Sequence, residues 1–127
     1  MPATPNPDQM IFHMAMPDDW AAAFQTGEYT MSTRGRTLDD EGFIHASTRN
    51  QLEATANRFY ADVTELVLLT IDQAKVPHEI KWEPPAPGVD ELFPHIYGPL
   101  PIGAVIRNDF WVHAIDASGA GWTLGRL

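Results

Sequence analysis

Cysteine is absent from the 127-residue chain. Its absence excludes disulfides, thiolate metal ligands and a cysteine nucleophile together, and it suits a reducing cytoplasm. Positive charge is scarce: 8 Lys and Arg stand against 17 Asp and Glu, a formal net charge of −9. An acidic chain repels phosphate backbones, and no Lys/Arg cluster offsets that, so nucleic acid is not expected as a partner. Long apolar runs are also missing. None approaches the ~20 residues that cross a bilayer, so no membrane-spanning helix is expected. The opening MPATPNPD has neither the basic region nor the apolar stretch of a signal peptide. Its prolines make residues 1–8 a flexible lead-in, and residues 9–127 read as one domain.

A hydrophobic fraction of 44% with four tryptophans is enough for an ordinary core. The order of elements follows from punctuation and period. A strand is expected from Gln9 to Met14. Pro17, Asp18 and Asp19 then open a helix, Trp20, Ala23, Phe24 and Gly27 share a face, and Gly27 ends it. Residues 28–40 read as a polar loop with at most one short strand. Gly42 to Ala46 is a second strand. Ser47 or Thr48 caps the next helix, with Thr48 and Gln51 at capping-box spacing, and Leu52, Ala56 and Phe59 form its apolar stripe to about Tyr60. ELVLLTID (65–72) is a central strand buried on both faces. Ile80 to Glu83, HIYG and GAVIRNDFWVHAI supply later strands, and GWTLGRL a candidate edge. The expectation is α+β: one small domain, two main helices, and a mixed or largely antiparallel sheet.

Three histidines sit in apolar settings, in MIFHMA, EGFIHAS and FPHIYGPLP. An imidazole in such a place costs free energy unless it is hydrogen-bonded or used. In extended chain, residues two apart share a face, so His13 travels with Ile11 and Ala15, His45 with Phe43 and Ser47, and His95 with Phe93 and Tyr97. The bland reading is three core imidazoles bonded to backbone; the sharper one is that at least two share a pocket. His78 and His113 lie in ordinary settings and read as structural or solvent-facing.

Three histidines invite a metal. The gaps of 32 and 50 residues contain no HExxH or H-x-H pair, so the signal is weak. Ser47 lacks a GxSxG elbow and reads better as a cap than as a nucleophile. Glu83, between Trp82 and two prolines, reads as either a solvent-facing acid or a carboxylate fixed at a pocket rim. Arg58 is either a surface arginine or a guanidinium aimed at a phosphate or carboxylate.

IFH, EGFIHAS, NRFY, the aliphatic strand ending in ID, then WE and FPHIYGPL together resemble the domain-of-unknown-function family 952 of bacteria and plants. The resemblance runs from Met10 to about Val105. That family name carries no activity. A more distant likeness, of a first strand bearing an aromatic–His pair and a second strand leading into a helix, is similar to the compact ADP-ribosyltransferase fold shared by tRNA 2′-phosphotransferases. That likeness implies NAD or an ADP-ribose-like nucleotide as ligand. It carries cofactor contacts onto His13 and onto His45 with Ser47, and the third, catalytic position onto either Glu83 or the His95 and Tyr97 pair; Arg58 joins the cofactor-binding candidates on its charge alone. Met14 and Ala15 replace the Gly-Thr that often follows the first histidine there. Two other expectations stay open: a metal-dependent enzyme with His13, His45 and His95 as ligands, and a non-catalytic module binding a small molecule or peptide.

Overall fold

The computed structural model describes residues 8–112 and 121–122. Its centre is a three-stranded antiparallel sheet in which β6 (Glu65–Ile71) lies between β1 (Ile11–Ala15) and β10 (Val105–Val112). Alternate residues of β6 feed two separate cores, as a continuous aliphatic strand should. Val67, Leu69 and Ile71 face one, with Ile11 and Ala15; Leu66 and Leu68 face the other, with Phe12 and Met14. Each such Val, Leu, Ile, Phe or Met side chain, fully buried, contributes about 1.5–3 kcal/mol.

The second core is closed by helix α3 (Leu52–Phe59), Trp111 and Trp122. Thr48 and Gln51 form the expected reciprocal cap, opening a short 3-10 turn that runs into α3. Leu52 and Ala56 are buried, but Phe59 is not: at 59% exposure it turns outward, and Tyr60 takes its place in the core. The first core is covered by helix α1 (Pro17–Thr26), which ends where Gly27 adopts φ 84°. Trp20 and Ala23 point inward, whereas Phe24 lies edge-on against Trp20 and stays exposed.

Residues 28–41 are more ordered than their composition suggests. They form β2 (Glu28–Tyr29), β3 (Met31–Thr33), β4 (Arg36–Thr37) and a one-turn helix α2 (Leu38–Glu41), capped reciprocally by Thr37 and Asp40. β3 and β4 make a hairpin, while β2 pairs with β9 (Leu100–Pro101). Strands of two or three residues are too short to show a period, which is why this region reads as loop.

A second antiparallel sheet has the order β5 (Ile44–His45), β8 (Phe93–Ile96), β7 (Ile80–Glu83). Ile44, Ile80, Trp82 and Ile96 pack onto the first core. The two sheets are stitched by one isolated bridge, in which the Phe12 and Ser47 amides each donate to the other's carbonyl at 2.8 and 2.7 Å. Every strand pairing among the described residues is antiparallel, so the architecture is α+β with short helices. The first strand begins two residues later than expected and the second is shorter. His113 and Thr123–Leu127, the bulk of the expected last edge, lie outside the described residues; Gly121 and Trp122 are not in a strand. None of the described helices is long and apolar enough to cross a membrane.

Candidate functional site

The core-facing residues of the β5-β8-β7 sheet are hydrophobic; the opposite face is not. His45 pairs directly with His95 across β5 and β8, and Lys81 of β7 sits opposite His95 on its other side. Strand alternation puts Phe43, Glu83, Phe93 and Tyr97 on that same face. The result is a continuous polar chain. Arg36 donates to Glu41 Oε2 at 3.1 Å, and Glu41 Oε1 lies 3.3 Å from His45 Nε2. The His45 ring meets the His95 ring edge-on, centroids 5.2 Å apart. His95 Nδ1 lies 2.9 Å from Glu83 Oε1, and the same oxygen accepts the Tyr97 hydroxyl. Lys81 stands over the Tyr97 ring at 4.6 Å.

Each group's proton follows from its surroundings. Hydrogen bonds from Tyr97, then from His95, hold the Glu83 carboxyl below its usual range, so it is an anion. The same bond pushes the Tyr97 phenol up to about 12. Burial lowers the His95 imidazole, with Glu83 opposing part of that effect. His95 therefore keeps its proton on Nδ1, facing Glu83. Its other nitrogen, Nε2, is buried without a partner among the described residues, an arrangement that costs roughly 1–3 kcal/mol. Phe43 stacks on the ring at 4.1 Å and 17° and so fixes its plane.

His13 is used differently. Its Nδ1–H donates to the His45 carbonyl, and its Nε2 accepts the Tyr29 hydroxyl at 2.8 Å. Burial lowers its pKa to about 4, so the ring is neutral, and both nitrogens are spent inside the protein. This places His13 as a pin joining β1, β2 and β5, with no free hydrogen bond to offer a ligand. Ser47 is likewise built into the bridge between sheets, and Thr48, not Ser47, is the cap.

Two clefts flank this face. The smaller, about 490 Å³, is lined by Phe43, Glu83, His95, Tyr97 and the proline-rich segment 84–89. The larger, about 520 Å³, lies between the two sheets and α3. Thr55, Arg58 and Phe59, at i, i+3 and i+4 of α3, present one face to it. His13, Ser32, His45, Ser47 and Phe93 are among the residues lining the remainder, together with two carboxylates, Glu41 and Glu91. Pro85, Ala86 and Val89 belong to both walls, so segment 84–89 separates the clefts. The candidate residues thus divide: Glu83, His95 and Tyr97 in one cleft, His13, His45, Ser47 and Arg58 in the other, with His45 touching His95 across the boundary.

Among neighbouring cations, Arg34 is committed to Asp62 through two bonds of 2.9 and 2.7 Å, and Arg36 to Glu41. Arg58 lies over its neighbour Phe59 and has no carboxylate partner among the described residues. Ser32, also in the larger cleft, has a buried hydroxyl with no hydrogen-bond partner among the described residues. Sequence reasoning missed Tyr29, Ser32, Phe43 and Glu41 as members of the site. Only Phe43 left a local signal, sharing a strand face with His45. The three histidines do not converge as ligands: among the described residues no three His, Asp or Glu side chains are grouped to hold a metal ion. His13 has spent both nitrogens, and only His45 and His95 meet.

The matched family model spans residues 14–108 and is described as "Protein of unknown function (DUF952)"; the chain belongs to that family. It is similar to the crystal structure of protein CC0527 from Caulobacter crescentus, with 30% identity, a TM-score of 0.74, and 92% of this chain and 96% of that one covered. A double-mutant form of CC0527 gives a TM-score of 0.73, and its solution structure 0.66 over 87% of this chain and 89% of that one. Nothing among curated proteins matches.

Proposed function

We propose that the larger cleft binds NAD or an ADP-ribose-like nucleotide, and that the protein is a transferase or hydrolase of the ADP-ribosyl type. The observation that carries this reading is the lining of the cleft: an uncommitted guanidinium, Arg58, beside aromatic faces and hydroxyls in a space of about 520 Å³. That is the size and mixed chemistry of a small-molecule site. Arg58 supplies the positive charge a diphosphate needs, in a chain with little to spare. Phe59 and Phe93 offer surfaces for planar rings, and the hydroxyls of Ser32 and Thr55 suit ribose. The layout of a first-strand histidine beside a cleft between two antiparallel sheets is compatible with the compact ADP-ribosyltransferase arrangement.

In this reading His13 positions Tyr29 and the His45 strand, while His45 and Glu41 border the cleft where it meets the smaller one. Glu41 would stabilise the oxocarbenium-like charge that develops as nicotinamide leaves. A purely non-catalytic binding module would use the same cleft; the unsatisfied nitrogen of His95 next door favours chemistry. Isothermal titration with NAD and with ADP-ribose tests the proposal. The wild-type protein should bind at least one of them, and Arg58→Ala should weaken binding by about tenfold or more, the loss expected for a charge-assisted phosphate contact. Equal affinity in the two proteins would remove Arg58 from the site, and no binding to the wild type would reject the nucleotide.

A further inference from the structure

The smaller cleft contains a group of side chains that nucleotide binding leaves unused. His95 is 1% exposed, its ring plane fixed by Phe43, its Nδ1 bonded to Glu83 and its Nε2 without a partner among the described residues. This fold holds a structural histidine for comparison: His13, with both nitrogens engaged, by the His45 carbonyl and the Tyr29 hydroxyl. His95 is arranged otherwise. A carboxylate orients one nitrogen, a tyrosine orients the carboxylate, and the other nitrogen is left with its lone pair. A carboxylate behind an imidazole selects the tautomer and stabilises the imidazolium that forms when the far nitrogen takes a proton.

We infer that Glu83 and His95 form a proton-accepting pair, in which His95 Nε2 takes the proton of a hydroxyl group, water or an alcohol, bound in the smaller cleft. Glu83 and Tyr97 are positioning residues. Nε2 is closed to solvent, so the hydroxyl reaches it as the His45 ring, edge-on to His95, turns aside while Phe43 keeps the His95 plane. Segment 84–89 lies between the two clefts, and the acceptor oxygen meets the nucleotide beyond it, where His45 touches His95.

The identity of the reaction rests on the nucleotide reading above. With NAD in the larger cleft, the acceptor oxygen attacks C1′ of the ribose. The C1′–nitrogen bond breaks with its electron pair passing to nicotinamide, which leaves neutral. The acceptor's proton ends on His95 Nε2 and is released to solvent. A water acceptor gives hydrolysis, an alcohol gives transfer.

Two measurements separate this inference from the reading beneath it. Nitrogen-15 NMR of the histidine rings at pH 7 needs no nucleotide. His95 should carry its proton on Nδ1 with Nε2 bare; an Nε2–H tautomer, or an imidazolium at pH 7, overturns the pair. Kinetics come second. His95→Gln should bind NAD within about twofold of wild type yet lose at least about a hundredfold in turnover. Glu83→Gln should lower turnover and move the acid limb of its pH profile downward, because His95 loses the anion that favours its protonation. Unchanged turnover in His95→Gln would overturn the assignment even if NAD binds. A wild-type protein that binds no NAD would reject the nucleotide reading alone, leaving the pair to stand or fall on the tautomer.

Discussion

Acid should weaken this protein through His13, and the size of the effect follows from its burial. The ring titrates at about 4 in the folded chain and near 6.5 when unfolded. Below pH ~6.5 the unfolded state therefore binds a proton that the folded state refuses, so stability falls as pH falls. The contribution is complete above the unfolded value and is lost progressively toward the folded one, reaching ~3 kcal/mol by pH 4. His95, also lowered by burial, adds a loss of the same sign. The variant that isolates His13 is His13→Gln, because a glutamine amide can donate to the His45 carbonyl and accept from Tyr29 without titrating. Urea unfolding followed by tryptophan fluorescence, at steps from pH 7 to pH 4, supplies both curves. The wild type should start the more stable, since the imidazole fits its site. Its advantage should then shrink by ~3 kcal/mol across the range. Two curves that stay parallel within ~0.5 kcal/mol would refute the claim that His13 is buried, neutral and doubly bonded.

Two other substitutions test how the scaffold is held. A Cβ built on Gly98 falls 2.3 Å from Cγ of His78, so Gly98→Ala should cost ~1–3 kcal/mol by overpacking, and His78→Ala in the same chain should restore most of it. Thermal or urea unfolding of the double-mutant cycle reads the coupling; two independent costs would show that the His78 ring does not touch residue 98. Thr48→Ala removes one half of the capping box in front of α3 and should cost about 1 kcal/mol, read from the urea midpoint at an unchanged slope.

Much of the site was legible because strand alternation is local. Once EGFIHAS and FPHIYGPL are read as extended, Phe43 with His45, and Phe93 with His95 and Tyr97, must share faces whatever surrounds them. The family membership was carried by the same two motifs. What local pattern could not supply was strand order. That β8 lies between β5 and β7 decides that His45 meets His95 and that Glu83, as readily read as a solvent-facing acid, reaches His95 and Tyr97. The same order sends His13 to a backbone carbonyl and a tyrosine 16 residues away instead of to its fellow histidines. Residues 28–41 hid Tyr29, Ser32 and Glu41 because two- and three-residue strands leave no period to detect. Phe59 fitted a stripe with Leu52 and Ala56, but Tyr60 fills the core and leaves Phe59 to the cleft.

The central claim is that the cleft between the two sheets and α3 takes an ADP-ribosyl nucleotide. Amide chemical-shift mapping of the isotope-labelled full chain, titrated with ADP-ribose, tests it most directly. Saturable shifts are expected at Ser32, Thr33, His45, Thr55 and Arg58, in the β3, β5 and α3 walls of that cleft, and at Ser47 in the bridge between the sheets. No shifts at millimolar ADP-ribose, or shifts confined to another surface, would contradict it.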